Sequence, residues 1–280
     1  MRILLNLLLA CTLALSPLAQ AQPRLLSIGG TLTEILYALG AGEQLVGTDT
    51  SSYYPAAAET LPKVGYQRAL AVEGILSLHP ELVLASGEAG PATVLAQLRA
   101  AGVRVEVIDT PPTPAGLLSR IERLATLTGR EQQGLALQQQ ISEQLQALQL
   151  PPQWHRPPKL LFILQHGNGS PMVAGRQTAV DELIHLSGAL NAMADINGYK
   201  PLTPEALVQA APDVILISQQ GLAQSGGEAA LLAQPGMALT PAGQQQRILS
   251  MDALLVLGMG PRTAEAALHL RSQLQAWFGG

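Results

Sequence analysis

Tyr66 and Arg68 stand two residues apart in the segment Gly65-Tyr66-Gln67-Arg68-Ala69-Leu70-Ala71-Val72-Glu73, which reads as loop or extended chain. In an extended segment successive side chains alternate faces, so the phenol and the guanidinium would point the same way, about 7 Å apart along the backbone. A guanidinium beside a phenol favours the phenolate, and a phenolate is a good ligand for ferric iron, the iron of oxidised haem included. A tyrosine beside a solvated arginine is also ordinary surface composition. The pair by itself leaves both readings open.

Other donors narrow the choice. Cys11 is the only cysteine, and it lies in a segment that reads as a secretory signal. Met1–Ala21 has one early charge, Arg2, an apolar run from Ile3 to Leu15, Pro17, and then Ala19-Gln20-Ala21, the small-x-small pattern of a signal-peptidase site. The apolar run is too short and one-sided for a permanent membrane span. The mature chain is expected to begin at Gln22 and to be exported to the periplasm. Leu8-Leu9-Ala10-Cys11 also resembles a lipoprotein cleavage box, but it would leave a very short apolar region before the cut and an apolar run after it. Cleavage after Ala21 leaves a chain without thiols, which excludes disulfides, thiolate metal sites, iron–sulfur clusters and covalent haem attachment. Any haem must then be held by oxygen or nitrogen ligands. The net charge of −4 becomes −5 once Arg2 leaves, and the basic residues are scattered, which argues against a nucleic-acid partner.

The elements that must position Tyr66 come in two copies. Residues 70–86 and 202–218 align so that Glu73 matches Glu205, Pro80 matches Pro212 and Glu81 matches Asp213, and an apolar run follows each. This is an internal repeat. Each copy reads as a short helix stopped by proline and then a buried strand. Upstream, Leu25–Ile28 and Leu160–Leu164 read as strands. Glu34-Ile-Leu-Tyr-Ala-Leu-Gly recurs as Glu182-Leu-Ile-His-Leu-Ser-Gly on a helix, and Thr31 with Glu34 would form the first helix's capping box. Strand, helix, strand, helix, strand in each half predicts an α/β fold of two lobes with mainly parallel central sheets. About 260 mature residues, in a chain that is 48% hydrophobic, suffice for two cores.

Between the lobes, Ala115–Leu127 predicts one amphipathic helix and Glu131–Leu150 a second. Twenty helical residues extend about 30 Å, enough to cross from lobe to lobe, and Pro151-Pro152 and Pro157-Pro158 end the helix and restart the chain as a connector. The apolar spacing is sustained for too few heptads for a coiled coil. The resulting division is a signal peptide at 1–21, an N-terminal lobe at 22–130, a linking helix and connector at 131–156, and a C-terminal lobe at 157–280. Gly65-Tyr66 and Gly198-Tyr199 fall at nearly the same place in the two copies, on loops near the strand edges where ligands bind in open α/β sheets.

Over essentially the whole mature chain the sequence resembles the periplasmic substrate-binding proteins of bacterial haem ABC importers, within the helix-linked group that also serves ferric siderophores and cobalamin. Val64–Leu70 followed by Glu73-Gly74-Ile75-Leu76-Ser77-Leu78 resembles the haem-ligand segment of that family. Pro171–Gly175 and Gly258-Met259-Gly260-Pro261-Arg262-Thr263 look like its C-lobe signatures. The resemblance implies that Tyr66 is the axial ligand of ferric, non-covalent haem b and that Arg68 hydrogen-bonds it. It implies too that Glu73 and Glu205, one on each lobe, meet arginines of an inner-membrane permease, which works with its ATPase and downstream of an outer-membrane haem receptor system. His166, in the loop Gln165-His166-Gly167-Asn168-Gly169, is a candidate haem contact because some relatives use a histidine in this region. The alternative is a solvated histidine titrating near pH 6.5. Tyr199, Lys200, Tyr53 and Tyr54 are candidates to stack on the macrocycle or reach a propionate, and Arg262 is expected to begin a helix and either meet a propionate or be exposed. His79, His155, His185 and His269 have no metal-ligand spacing.

An enzyme finds little support. The chain has no Gly-x-Ser-x-Gly elbow, Walker loop, His-Glu-x-x-His helix or Gly-x-Gly-x-x-Gly after a strand, and Gly40-Ala41-Gly42 follows a helix. A periplasmic haem-dependent enzyme would need a distal acid–base group that nothing nominates. The expected function is capture of ferric haem and its delivery to the permease. A siderophore or cobalamin carrier of the same architecture is the alternative.

Overall fold

The computed structural model describes residues 23–165 and 169–279. The expected signal peptide, with Cys11 and the Gln22 start, and His166 lie outside the described residues. The first sheet has strand order β2-β1-β5-β6, with β1 Leu25–Ile28, β2 Leu45–Thr48, β5 Leu82–Ser86 and β6 Arg104–Ile108, all parallel. A two-stranded hairpin, β3 Gly65–Tyr66 and β4 Ala69–Leu70, stands apart from it. The second sheet follows the order β10-β8-β7-β11-β12, with β9 also on β7: β7 Lys159–Leu164, β8 Met172–Ala174, β9 Leu190–Asn191, β10 Tyr199–Pro201, β11 Val214–Ser218 and β12 Ile248–Met251. In it β7, β9, β11 and β12 are parallel, whereas β8 runs antiparallel to both β7 and β10.

Continuous apolar strands arise because both faces of each sheet are covered. Leu82 and Leu84 of β5 enter one core and Val83 and Ala85 the other. Leu160 and Phe162 of β7 alternate in the same way with Leu161 and Ile163. Helices supply the covering layers. In the first lobe these are α1 Gly30–Ala38, α2 Ala56–Glu59, α3 Val72–Leu76 and α4 Ala92–Ala100, and in the second α7 Ala179–Leu186, α8 Pro204–Ala210, α9 Gln219–Gln224, α10 Glu228–Leu232, α11 Pro241–Gln244, α12 Ala253–Leu257 and α13 Thr263–Phe278.

Between the sheets come α5 Pro114–Thr128 and α6 Glu131–Ala147. Thr113 caps α5 by accepting from Gly116 N, and left-handed Gly129 (φ 66°) ends it. The second helix stops three residues short of the expected Leu150 and is no free-standing strut. Ile141 is buried in the first lobe's core, Leu145 packs against both cores, and Leu148 just beyond it enters the second. Gln138 Nε2 also donates to Leu118 O of α5 at 2.8 Å.

The repeat extends to backbone detail. His79 and Ala211, equivalent positions before Pro80 and Pro212, both adopt a left-handed φ, 47° and 44°. An arginine ties down each corner: Arg24 donates to the carbonyls of Leu78 and His79, and Arg156 makes a bidentate pair with Asp213 at 2.6 and 2.7 Å.

The expected capping box at Thr31 and Glu34 does not form. Gly29 (φ 114°) stands at the N-cap without a side-chain bond, and both residues turn instead toward the other lobe.

Candidate ligand-binding cleft

Loops leaving the carboxyl ends of β1, β2 and β5 gather at one edge of the first sheet, where open α/β folds place their ligands. Asp49, just after β2, organises this edge: its carboxylate accepts from Gly29 N, Ser51 N and Ser52 Oγ at 2.7–2.8 Å. Lys63 Nζ donates to Thr48 Oγ1, Ser52 O and Ala58 O at 2.6–2.8 Å. The segment carrying Tyr53 and Tyr54 is thereby fixed.

Tyr66 and Arg68 meet by a route other than alternation along a strand. Gln67 and Arg68 form the two-residue connection between β3 and β4, in which Tyr66 pairs with Ala69. Around this turn Arg68 Nη1 returns to the phenol oxygen of Tyr66 at 2.6 Å, with the guanidinium carbon 5.9 Å from the ring centroid. Tyr66 is half-buried and Arg68 exposed. The other guanidinium nitrogen, Nη2, pairs with Glu88, a residue of the loop after β5 that sequence reasoning missed. The hairpin is stapled to that loop by Gly90 N donating to Gln67 O at 2.8 Å, Leu70 N donating to Gly90 O at 3.0 Å, and Ser86 Oγ donating to Gln67 Oε1 at 3.0 Å.

Across from this group stands Tyr199 at the start of β10. Burial, and then the negative charge of Glu88, push its phenol up to about 12, while Arg68 pulls in the other direction. The second-lobe tyrosine therefore sits within electrostatic reach of the first-lobe pair, but both tyrosines lie in strands, β3 and β10, and not on the loops expected from the matched Gly-Tyr positions. Lys200 beside it is exposed.

Tyr53, Tyr54 and Arg262, three further candidates, come together in a clasp between the lobes. Arg262 holds buried Glu34 in a bidentate pair at 2.8 and 3.0 Å, and the Tyr54 ring lies under its guanidinium at 3.4 Å. Burial opposes the charge on Arg262, but the hydrogen bonds and charge of Glu34 outweigh it, and the net shift is upward. Tyr53 donates to Asp252 at 3.0 Å and accepts from Leu254 N at 2.8 Å. Its phenol is raised far above its ordinary value by burial and by Asp252. Thr31 Oγ1 donates to Gly258 O at 3.0 Å, and Arg120 Nη1 of α5 to Met259 O at 3.1 Å. The Gly258–Thr263 signature is thus the second lobe's half of the clasp, and the carboxylate that Arg262 meets belongs to the protein.

Glu73 and Glu205 are both exposed in the first turns of α3 and α8. The segments leading into these helices are anchored beside the sheets' ligand edge, Leu70 N to Gly90 O and Leu202 N to Pro171 O. His79, His155, His185 and His269 are exposed. No group of three or more His, Cys, Asp or Glu side chains among the described residues is placed to hold a metal ion, and no helix among them is long and apolar enough to cross a membrane.

Two α/β lobes facing each other across such an edge define a binding protein. Residues 26–255 match the periplasmic binding protein family, and the chain belongs to it. It is similar to the solved structure of the periplasmic heme-binding protein RhuT from Roseiflexus sp. RS-1 in apo form, with 43% identity, a TM-score of 0.88, and coverage of 91% of this chain and 98% of that one. It is also similar to the periplasmic heme-binding protein BhuT in complex with two hemes, with 47% identity, a TM-score of 0.85 and the same coverage. A vitamin B12-binding protein of Yersinia pestis (strain Pestoides F) is 29% identical over 201 residues, 71% of each chain.

Proposed function

We propose that this protein is a periplasmic carrier that captures ferric haem between its lobes and delivers it to an inner-membrane ABC permease. One observation carries the reading: the phenol oxygen of Tyr66 is fixed at 2.6 Å from Arg68 Nη1 at the ligand edge of a chain 43% and 47% identical to solved heme-binding proteins. A hard anionic oxygen suits Fe(III), and a guanidinium at that distance stabilises the phenolate that the iron needs. Tyr66 is the axial ligand of haem b, Arg68 supports it, and apolar groups of both lobes cover the porphyrin. Tyr199 and Lys200 approach from the second lobe, and His166 remains a further candidate contact. The segment Met1–Ala21 directs export and is removed after Ala21, with a lipid anchor on Cys11 as the alternative. No chemistry on the ligand is required, so the protein acts as a carrier and not as an enzyme.

The test is an absorption titration of the mature protein with hemin. A saturable high-spin ferric spectrum with a tyrosinate charge-transfer band is expected, and Tyr66→Phe should abolish the band and weaken binding strongly. Identical spectra for the two proteins would remove the ligand assignment. The vitamin B12-binding relative supports a second reading, a cobalamin carrier; tight binding of cyanocobalamin without hemin binding would select it. Peroxide turnover no greater than that of free hemin separates a carrier from a haem enzyme.

A further inference from the structure

We propose that Glu88 is a positioning residue for the iron ligand, acting through Arg68; the proposal rests on the haem reading of Tyr66. Arg68 has two handles, Nη1 on the Tyr66 phenol at 2.6 Å and Nη2 on the Glu88 carboxylate. Both acidic and basic side chains are more than half exposed, at 60% and 54%, and an exposed arginine held at one end only would sample many rotamers. The carboxylate removes that freedom and aims Nη1 at the phenol. The loop carrying Glu88 is itself fixed, because the backbone bonds between Gly90 and residues 67 and 70 tie it to the hairpin that carries Tyr66.

Two further observations separate this role from that of an ordinary surface ion pair. Exposed pairs contribute little to stability, typically about 0–1 kcal/mol, so folding alone gives this pair little purpose. The charges of Glu88 and Arg68 are also felt by Tyr199 on the opposite lobe, which places the pair on the cleft side of the molecule. Tyr66, Arg68 and Glu88 thus form a relay in which the ligand, its hydrogen-bond donor and the group orienting that donor come from one hairpin and one adjoining loop.

The readout is the pH at which the haem-loaded full-length mature protein loses its tyrosinate band as acid is added. Arg68→Ala should raise that midpoint, since the phenolate loses its donor. Glu88→Ala should raise it toward the Arg68→Ala value. Glu88→Gln, whose amide oxygen still accepts from Nη2, should stay near wild type. The double variant Glu88→Ala/Arg68→Ala should go no higher than Arg68→Ala alone, because a residue acting only through Arg68 has nothing left to act on. Thermal unfolding of the ligand-free variants should match wild type. A Glu88→Ala midpoint equal to wild type, a shift that adds to that of Arg68→Ala, or an equal rise in Glu88→Gln would overturn the proposal. Persistence of the band in Tyr66→Phe would instead refute the ligand assignment itself, and it is read from that variant alone.

Discussion

Two tyrosines of this chain receive different tasks from what lies beside them. Tyr66 has a guanidinium nitrogen at 2.6 Å, whereas Tyr199 is held protonated by burial and by Glu88, its phenol pushed up to about 12 from the ordinary 10.0. Tyr199→Phe should therefore leave the charge-transfer band of bound hemin in place. The same phenol makes stability depend on pH. Its stabilising contribution is complete below about pH 10, where folded and unfolded chains are both protonated. It is lost as pH rises through about 12, because the unfolded chain binds fewer protons in that window. Denaturant unfolding of the ligand-free protein should show stability falling between about pH 10 and 12, and Tyr199→Phe should flatten that fall. Tyr53, raised in the same direction, leaves a residual slope. An unchanged slope in Tyr199→Phe would count against this burial. Tyr66 and Arg68 were legible in the sequence because they are two residues apart. Glu88 was not, since an exposed glutamate twenty residues away in a glycine-rich loop carries no periodicity to betray its partner.

Strands and helices were legible wherever burial wrote a pattern. The runs at 82–85, 160–164 and 214–217 are apolar throughout because each is covered on both faces, and the repeat showed which of them correspond. Two things escaped. The antiparallel β8, an exception within sheets that are mainly parallel as expected, was not foreseen because three residues carry too little pattern to mark a strand. The Thr31/Glu34 capping box failed because long-range partners outcompeted local ones: Thr31 donates to Gly258 O and Glu34 holds Arg262, 228 residues away. At Gly258 the close approach requires glycine. A Cβ there would lie 2.4 Å from Leu254 O and 2.7 Å from Thr31 Oγ1, so Gly258→Ala forces the clasp apart. Overpacking of this kind costs about 1–3 kcal/mol, and chemical denaturation of the ligand-free protein should show a loss in that range. A variant as stable as wild type would mean that the turn relaxes freely.

At the scale of the molecule, the clasp joins the lobes on one side of the cleft, and Glu73 and Glu205 leave an exposed carboxylate on each lobe. Glu34 is buried and Arg262 nearly so, with 6% and 20% of their side chains exposed. Breaking such a pair leaves an uncompensated charge and costs roughly 3 kcal/mol, the lower end of the range for buried pairs. Glu34→Gln should lose about that much stability while keeping the tyrosinate band, because the clasp does not include Tyr66. Loss of the band together with unaltered stability would overturn this division of labour. Docking is the proposed whole-molecule role. Glu73 and Glu205 occupy matching first turns on the two lobes, beside the sheet edges proposed to hold the ligand, where in the proposed docking a permease approaching the mouth of the cleft would meet both. Reversing them sets a like charge against the permease arginines that the proposed docking requires, replacing attraction by repulsion. Each reversal also places a cation at a helix N-terminus, which costs only about 0.3–1 kcal/mol, so the fold should survive. Glu73→Arg with Glu205→Arg should therefore keep hemin affinity within about threefold of wild type, less than 1 kcal/mol, while uptake into permease-containing vesicles falls sharply. Each single reversal should fall between, since the lobes provide separate contacts. Normal uptake by the double variant would eliminate the docking role, and parallel losses of binding and transport would place these carboxylates in the cleft instead.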